Sequence, residues 1–193
     1  MTAAATLAAV FSLAVLLAIV GFLAFATWNA IVALGQRIDK AWANVDVALQ
    51  QRNDELPNLV AAVRAVLAFE RDTLERVTRA RAAYSPAAPI PQQAATSDET
   101  TRAVRQLLAV VERYPELRSS ANVAALQAEI ERLESLIADR RELYNDQVYR
   151  YNTRIRQLPA VLLASIVGWR PRPFFAADDS AATLPVVDLA ASG

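Results

Sequence analysis

The 193-residue chain has no Cys and no His, which excludes a thiol nucleophile, a disulfide, a Cys/His zinc site and an imidazole general base. Its four glycines stand singly, so no glycine-rich loop can cradle a phosphate, and twenty acidic side chains cancel the twenty basic ones that a nucleic-acid partner would need. Scarce Gly, abundant Ala, Leu, Arg, Glu and Gln, and Pro gathered in a few clusters favour an all-α chain of long helices.

The first 36 residues contain no Asp, Glu, Lys or Arg, and Ala3 to Ala26 is an almost unbroken apolar run. As a helix this run measures about 36 Å, slightly more than a hydrocarbon core of about 30 Å. It predicts a tilted transmembrane helix inside an anchor of residues 1–29, with the lipid bilayer as the first partner. A cleaved signal peptide, suggested by Ala24-Phe25-Ala26, is disfavoured. No cation precedes the run, the run is about twice the usual signal core, and Ala-x-Ala recurs by chance in an Ala-rich chain. Trp28 reads as an interfacial anchor, and Arg37 and Lys40 beyond it place the bulk of the chain in the cytoplasm by the positive-inside rule.

An apolar stripe of Ile31, Leu34, Ile38, Val45, Leu49, Leu56, Val60, Val63, Leu67, Leu74 and Val77 predicts one helix from about Ile31 to Tyr84, continuous with the span and kinked at Pro57. Ser85 to Ser97, with Pro86, Pro89 and Pro91, reads as the main loop (85–97). Thr96 and Glu99 have capping-box spacing before a short helix over Val104, Leu107, Leu108 and Val111, which Tyr114-Pro115 ends. From Asn122 to Leu158 a coiled-coil-like seam runs through Val123, Leu126, Ile130, Leu133 and Ile137, then Tyr144, Val148, Tyr151, Ile155 and Leu158. Arg140 marks a stutter between the halves. Two fold-backs then give an elongated antiparallel three-helix bundle over 30–175. The uncharged run Val161 to Val167 is too short to span and reads as a capping helix, or as a segment dipping into the membrane interface. Residues 176–193 read as a flexible tail.

Four blocks carry a family resemblance. The first is Ala41-Trp42-Ala43-Asn44-Val45-Asp46-Val47 with Leu49-Gln50-Gln51-Arg52 and Leu56-Pro57-Asn58-Leu59-Val60; the second is Leu107-Leu108-Ala109-Val110-Val111-Glu112-Arg113-Tyr114-Pro115-Glu116-Leu117. Tyr144-Asn145-Asp146 with Tyr151-Asn152-Thr153-Arg154-Ile155 is the third, and Pro159 with Gly168-Trp169-Arg170-Pro171-Arg172-Pro173-Phe174-Phe175 the fourth. In these the chain resembles the bacterial LemA family. The resemblance implies a single-pass protein of the bacterial plasma membrane, a short N-terminus outside, a helical bundle inside, no established molecular activity and no catalytic residues to carry over.

No catalytic, cofactor-binding or metal-ligating residue is therefore expected. The matching polar residues Asn145 and Asn152 stand seven apart beside the seam, as do Asp46 and Asn53 on the earlier helix. They read as hydrogen bonds that fix helix register in preference to a ligand groove. Asp54-Glu55, Glu129-Glu131 and Asp178-Asp179 read as solvated charge, and Arg76, Arg79 and Arg81 are too few for a lipid-headgroup cluster. The expected function is a non-enzymatic, membrane-anchored helical scaffold with unidentified protein partners. A self-assembling, homo-oligomeric protein that coats or shapes membrane is the alternative. Neither nucleic acid nor a small-molecule substrate is an expected partner.

Overall fold

The structure, a computed structural model, describes residues 2–67 and 69–176. Its described residues form six helices: α1 (Thr2–Arg64), α2 (Arg71–Ala82), α3 (Ile90–Val111), α4 (Pro115–Arg118), α5 (Ala121–Arg154) and α6 (Ala160–Val167). The tail expected over 176–193 lies outside them beyond Ala176.

The helix expected to reach Tyr84 instead ends at Arg64. Every stripe residue from Val45 to Val77 is buried as its spacing predicts, but the backbone turns at 65–70, where the Val66 and Leu67 N–H groups both donate to the Val63 carbonyl. Leu67 plugs this turn from inside while Phe69 stands 97 % exposed. The reversal lays Leu74 and Val77 of α2 back on the same core as Leu56, Leu59, Val60 and Val63. No Gly or Pro signals the turn, so periodicity alone could not locate it.

Pro57, by contrast, sits inside α1 without ending it. Its ring supplies no N–H to the Asn53 carbonyl four residues back. Arg81 of α2 supplies the missing donor, its Nε lying 3.0 Å from the Asn53 oxygen. A tertiary contact thus repairs what the proline removes.

The loop expected over 85–97 closes at Pro89. Pro91 lies in the first turn of α3, where a helix has no partner for an N–H and proline's fixed φ is already helical. Gln93 fastens the short connection by donating its amide to the Pro86 and Ala88 carbonyls at 3.0 and 2.8 Å. Thr96 is no cap: its hydroxyl donates to the Gln92 carbonyl within the helix.

α5 follows the expected seam, with Val123, Ile130, Leu133, Ile137, Tyr144, Val148 and Tyr151 all buried, and it ends at Arg154, four residues before Leu158. α6 stops at Gly168, whose φ of +79° is a left-handed cap that only glycine adopts without strain, and the Gly168 and Trp169 N–H groups both donate to the Ala164 carbonyl. The turn at 65–70 adds one reversal to the two expected, so four helical segments, α1, α2, α3 and α5, replace the three-helix arrangement.

The chain divides into two compact units. One combines the chain up to Lys40 with Asp146–Arg172; the other combines Ala41–Asn145 with the residues from Pro173 onward. In the first, α1 carries a stretch from Thr6 whose best 18-residue window has a mean hydropathy of 2.8 and no buried residue, long and apolar enough to cross a membrane. In the second, the core is Leu56, Leu59, Val63, Leu107, Val111 and Ile130 with their neighbours.

Candidate functional site

In the second unit the polar residues converge on two places. The first is Arg52, which occupies the apolar stripe of α1 midway between Leu49 and Leu56 and is only 3 % exposed. Its Nη1 lies 2.8 Å from Glu134 Oε1 and donates to Thr101 Oγ1 at 2.9 Å, while Nη2 donates to Ser97 Oγ at 3.1 Å. Thr101 closes the ring by donating to Glu134 Oε2 at 2.7 Å. α1, α3 and α5 are thereby joined through one buried guanidinium. The spacing of Ser97 and Thr101, four apart on α3, is what lets both hydroxyls face it.

Beside this network Tyr84 donates its hydroxyl to Asp46 Oδ1 at 2.9 Å. Burial first, then this hydrogen bond and the Asp46 charge, raise the phenol far above the usual tyrosine range, against smaller lowering effects of Gln50 and Arg52. The native state therefore keeps a proton that the unfolded chain loses. The stability this contributes is complete below about pH 10 and declines as pH rises beyond it. Tyr84→Phe should flatten the alkaline fall in unfolding midpoint, and an unaltered slope would assign that fall to other groups.

The second place is an aromatic box. Trp42 meets Tyr144 edge-on with ring centroids 5.5 Å apart and Phe175 at 5.9 Å, and the Arg141 guanidinium lies 5.2 Å over the Phe175 ring. Phe175 belongs to the non-helical segment after α6, and α5 grips that segment by its backbone. Asn145 accepts the Phe175 N–H at 2.8 Å and donates to the Phe175 carbonyl at 3.3 Å; Tyr144 donates to the Pro173 carbonyl at 2.8 Å. Arg141 also pairs with Asp98 of α3 at 2.6 Å.

In the first unit the same device recurs. Asn152 accepts the Arg172 N–H at 2.8 Å and donates to the Arg172 carbonyl at 2.9 Å. The two asparagines thus engage neither another helix nor an open groove: each amide reads both polar groups of one residue in the C-terminal segment. Asn152→Leu is expected to leave the helices intact, speed hydrogen exchange at the Arg172 N–H and cost about 1–2 kcal/mol, because two backbone groups lose their partners. Unchanged exchange there would mean that the segment is held by other contacts.

The remaining candidates scatter. Glu129 forms a fork with Arg132 at 2.7 and 2.8 Å on an exposed helix face, and this hydrogen-bonded guanidinium holds its carboxyl below the usual range. Glu55 accepts from Asn58, and Asp178-Asp179 lies outside the described residues. Arg76, Arg79 and Arg81 are each engaged, with Thr73, Glu75 and the Asn53 carbonyl respectively. Tyr144 and Tyr151 are both buried on the seam. Sequence reasoning missed Glu134, Tyr84 and Phe175 as members of these clusters. Arg52 was missed as well, although a cation standing where the stripe calls for an apolar residue is the signal that could have found it.

Taken together, the described residues define an all-helical protein with one apolar helix suited to a membrane and polar networks whose hydrogen bonds run within the protein. Residues 41–189 match the LemA family, and the chain belongs to it. Magnetosome proteins MamQ 1 and MamQ 2 of Paramagnetospirillum magneticum (strain ATCC 700264 / AMB-1) are each 36 % identical to it over 73 residues. That stretch is 38 % of this chain and 27 % of each relative, so the match spans about a quarter of their length.

Proposed function

We propose that the protein is a non-enzymatic scaffold of the bacterial plasma membrane, anchored by a single pass of α1, with its N-terminus outside and its helical bundle on the cytoplasmic side. The observation that carries this is the length of α1 from Leu7 to Phe25, where large apolar side chains are exposed on every side of the helix. Water would not tolerate that surface, whereas a bilayer covers it. Arg37 and Lys40 beyond it support the orientation. The polar residues that match the family are engaged in Arg52, Asn145 and Asn152 hydrogen bonds within the protein, which favours a rigid body presenting its surface to partners over a reaction centre.

Crosslinking the full-length protein in intact membranes at native abundance, with mass determination of each adduct, tests this. Adducts with other proteins support the scaffold. A ladder of self-adducts favours the homo-oligomeric coat instead.

A further inference from the structure

We propose that α6 and the arginines around it form an interfacial collar, seated in the headgroup layer of the leaflet next to the span and held there by anionic lipids. The inference rests on the spanning reading of α1 and adds a second membrane contact to it.

The packing of α6 is inverted relative to a water-exposed helix. Ala160 and Ala164 face the protein and are buried, while Leu162 and Ile166, at 61 % and 82 % exposure, face away from it. Positions two apart on a helix point to nearly opposite sides, so the small side chains are in and the large apolar ones are out. Leu158, just before the helix, extends the same bare surface. A surface helix in water has the opposite arrangement.

What covers that face is identified by its surroundings in the same unit. Trp169, directly after the Gly168 cap, lies with its ring centroid 5.2 Å from that of Trp28. Trp28 closes the bare apolar stretch of α1. Two contacting tryptophans at that point are the arrangement of an interfacial aromatic belt, and they bring the end of α6 to the depth at which the span leaves hydrocarbon. Thr27, just before Trp28, and Ile31 and Ile38 beyond it are buried, so protein begins to cover the helix where the apolar stretch ends.

Charge agrees. Between Gln147 and Ala177 there is no Asp or Glu, but there are five arginines, Arg150, Arg154, Arg156, Arg170 and Arg172. With Arg37 and Lys40 they make seven cations against Asp39 and Asp146, so this unit carries a net charge of +5 in a chain whose total is zero. Arg154, Arg156 and Arg170 have no carboxylate partner among the described residues. Apolar side chains beside unneutralised arginines suit acyl chains beneath phosphate headgroups.

The native chain lacks cysteine, so single labels can be placed without background. Full-length Leu16→Cys, Phe69→Cys, Leu162→Cys and Ile166→Cys are labelled with an environment-sensitive fluorophore and reconstituted into vesicles of phosphatidylcholine with or without phosphatidylglycerol. The labels at 162 and 166 are expected to be quenched by a nitroxide near the lipid headgroup and shielded several-fold from a water-soluble quencher relative to the label at 69. The shielding should weaken without phosphatidylglycerol, and also when Arg154, Arg156 and Arg170 are all replaced by Gln. Water access at 166 equal to that at 69, with the label at 16 still deep in lipid, overturns the collar and leaves the span standing. Water access at 16 overturns the spanning reading itself. Shielding at 166 from both quenchers places a protein on this face and overturns the lipid assignment, as does shielding indifferent to lipid charge and to the arginines.

Discussion

Glu134→Ala is expected to destabilise the second unit by about 3–5 kcal/mol, the cost of leaving a buried charge without its counter-ion. Arg52 is 3 % exposed, and its Nη1 and Nη2 are engaged by Glu134, Thr101 and Ser97, with Nε already unpartnered. Without the carboxylate, two hydroxyls and the Ser97 carbonyl at 3.5 Å remain to solvate a full positive charge, and the Thr101 hydroxyl loses its own acceptor. The reverse deletion should be milder. Glu134 is 19 % exposed, so after Arg52→Met it can turn toward water, and a loss of about 1–2 kcal/mol is expected, mainly from hydrogen bonds. The double change Arg52→Met with Glu134→Ala should cost clearly less than the sum of the two single losses, since it leaves no unpaired charge buried. Denaturant unfolding of the detergent-solubilised full chain, followed by helical circular dichroism, provides the cycle. Additive losses would mean that the two side chains do not act as a pair.

Helix class, the apolar N-terminal helix and most of the buried residues, Leu158 excepted, were legible because each is local: periodicity at 3.6 residues marks which side chains go inside whatever the tertiary arrangement. Ile38, Val45, Leu49, Leu56, Val63 and Val77 are buried as that spacing requires. The same regularity concealed the turn at 65–70, because a stripe continues in phase when a helix reverses onto the core it has just left. Pro57 was read as interrupting a helix that continues past it, and α1 does run through it. Its local cost is real, yet the Asn53 carbonyl it orphans is met by Arg81 from another helix, and no local rule contains that donor. Pro91 was misread by position: a proline ends a helix from within but starts one from the first turn. At the candidate site, the seven-residue spacing of Asn145 and Asn152 was visible while their partners were not. Those partners are backbone groups of Arg172 and Phe175, and backbone leaves no residue-type signature to be read.

Phe175→Ala should cost about 3–5 kcal/mol and free the segment after Arg172 from α5. The ring is fully buried against Trp42 and beneath the Arg141 guanidinium, so truncation removes apolar area and leaves a void beside an indole. The backbone of residue 175 keeps its chance of pairing with Asn145, which separates two possible anchors. If the ring is the anchor, Phe175→Ala should speed hydrogen exchange at the residue 175 N–H and shift Trp42 emission to the red as water enters the box. Asn145→Ala, which leaves the ring in place, should then cost only about 1–2 kcal/mol. If the amide is the anchor, the order reverses: Asn145→Ala frees the segment and Phe175→Ala leaves exchange at residue 175 slow. Geometry favours the ring. The Phe175 carbonyl is shared at 3.3 Å between Asn145 Nδ2 and Arg141 Nε, so losing one donor leaves another, whereas the space filled by the ring has no second occupant among the described residues. Tyr144 connects the two effects, because it packs edge-on against Trp42 and holds the Pro173 carbonyl; a collapsed box should therefore loosen the bond to Pro173 together with the pair at Phe175.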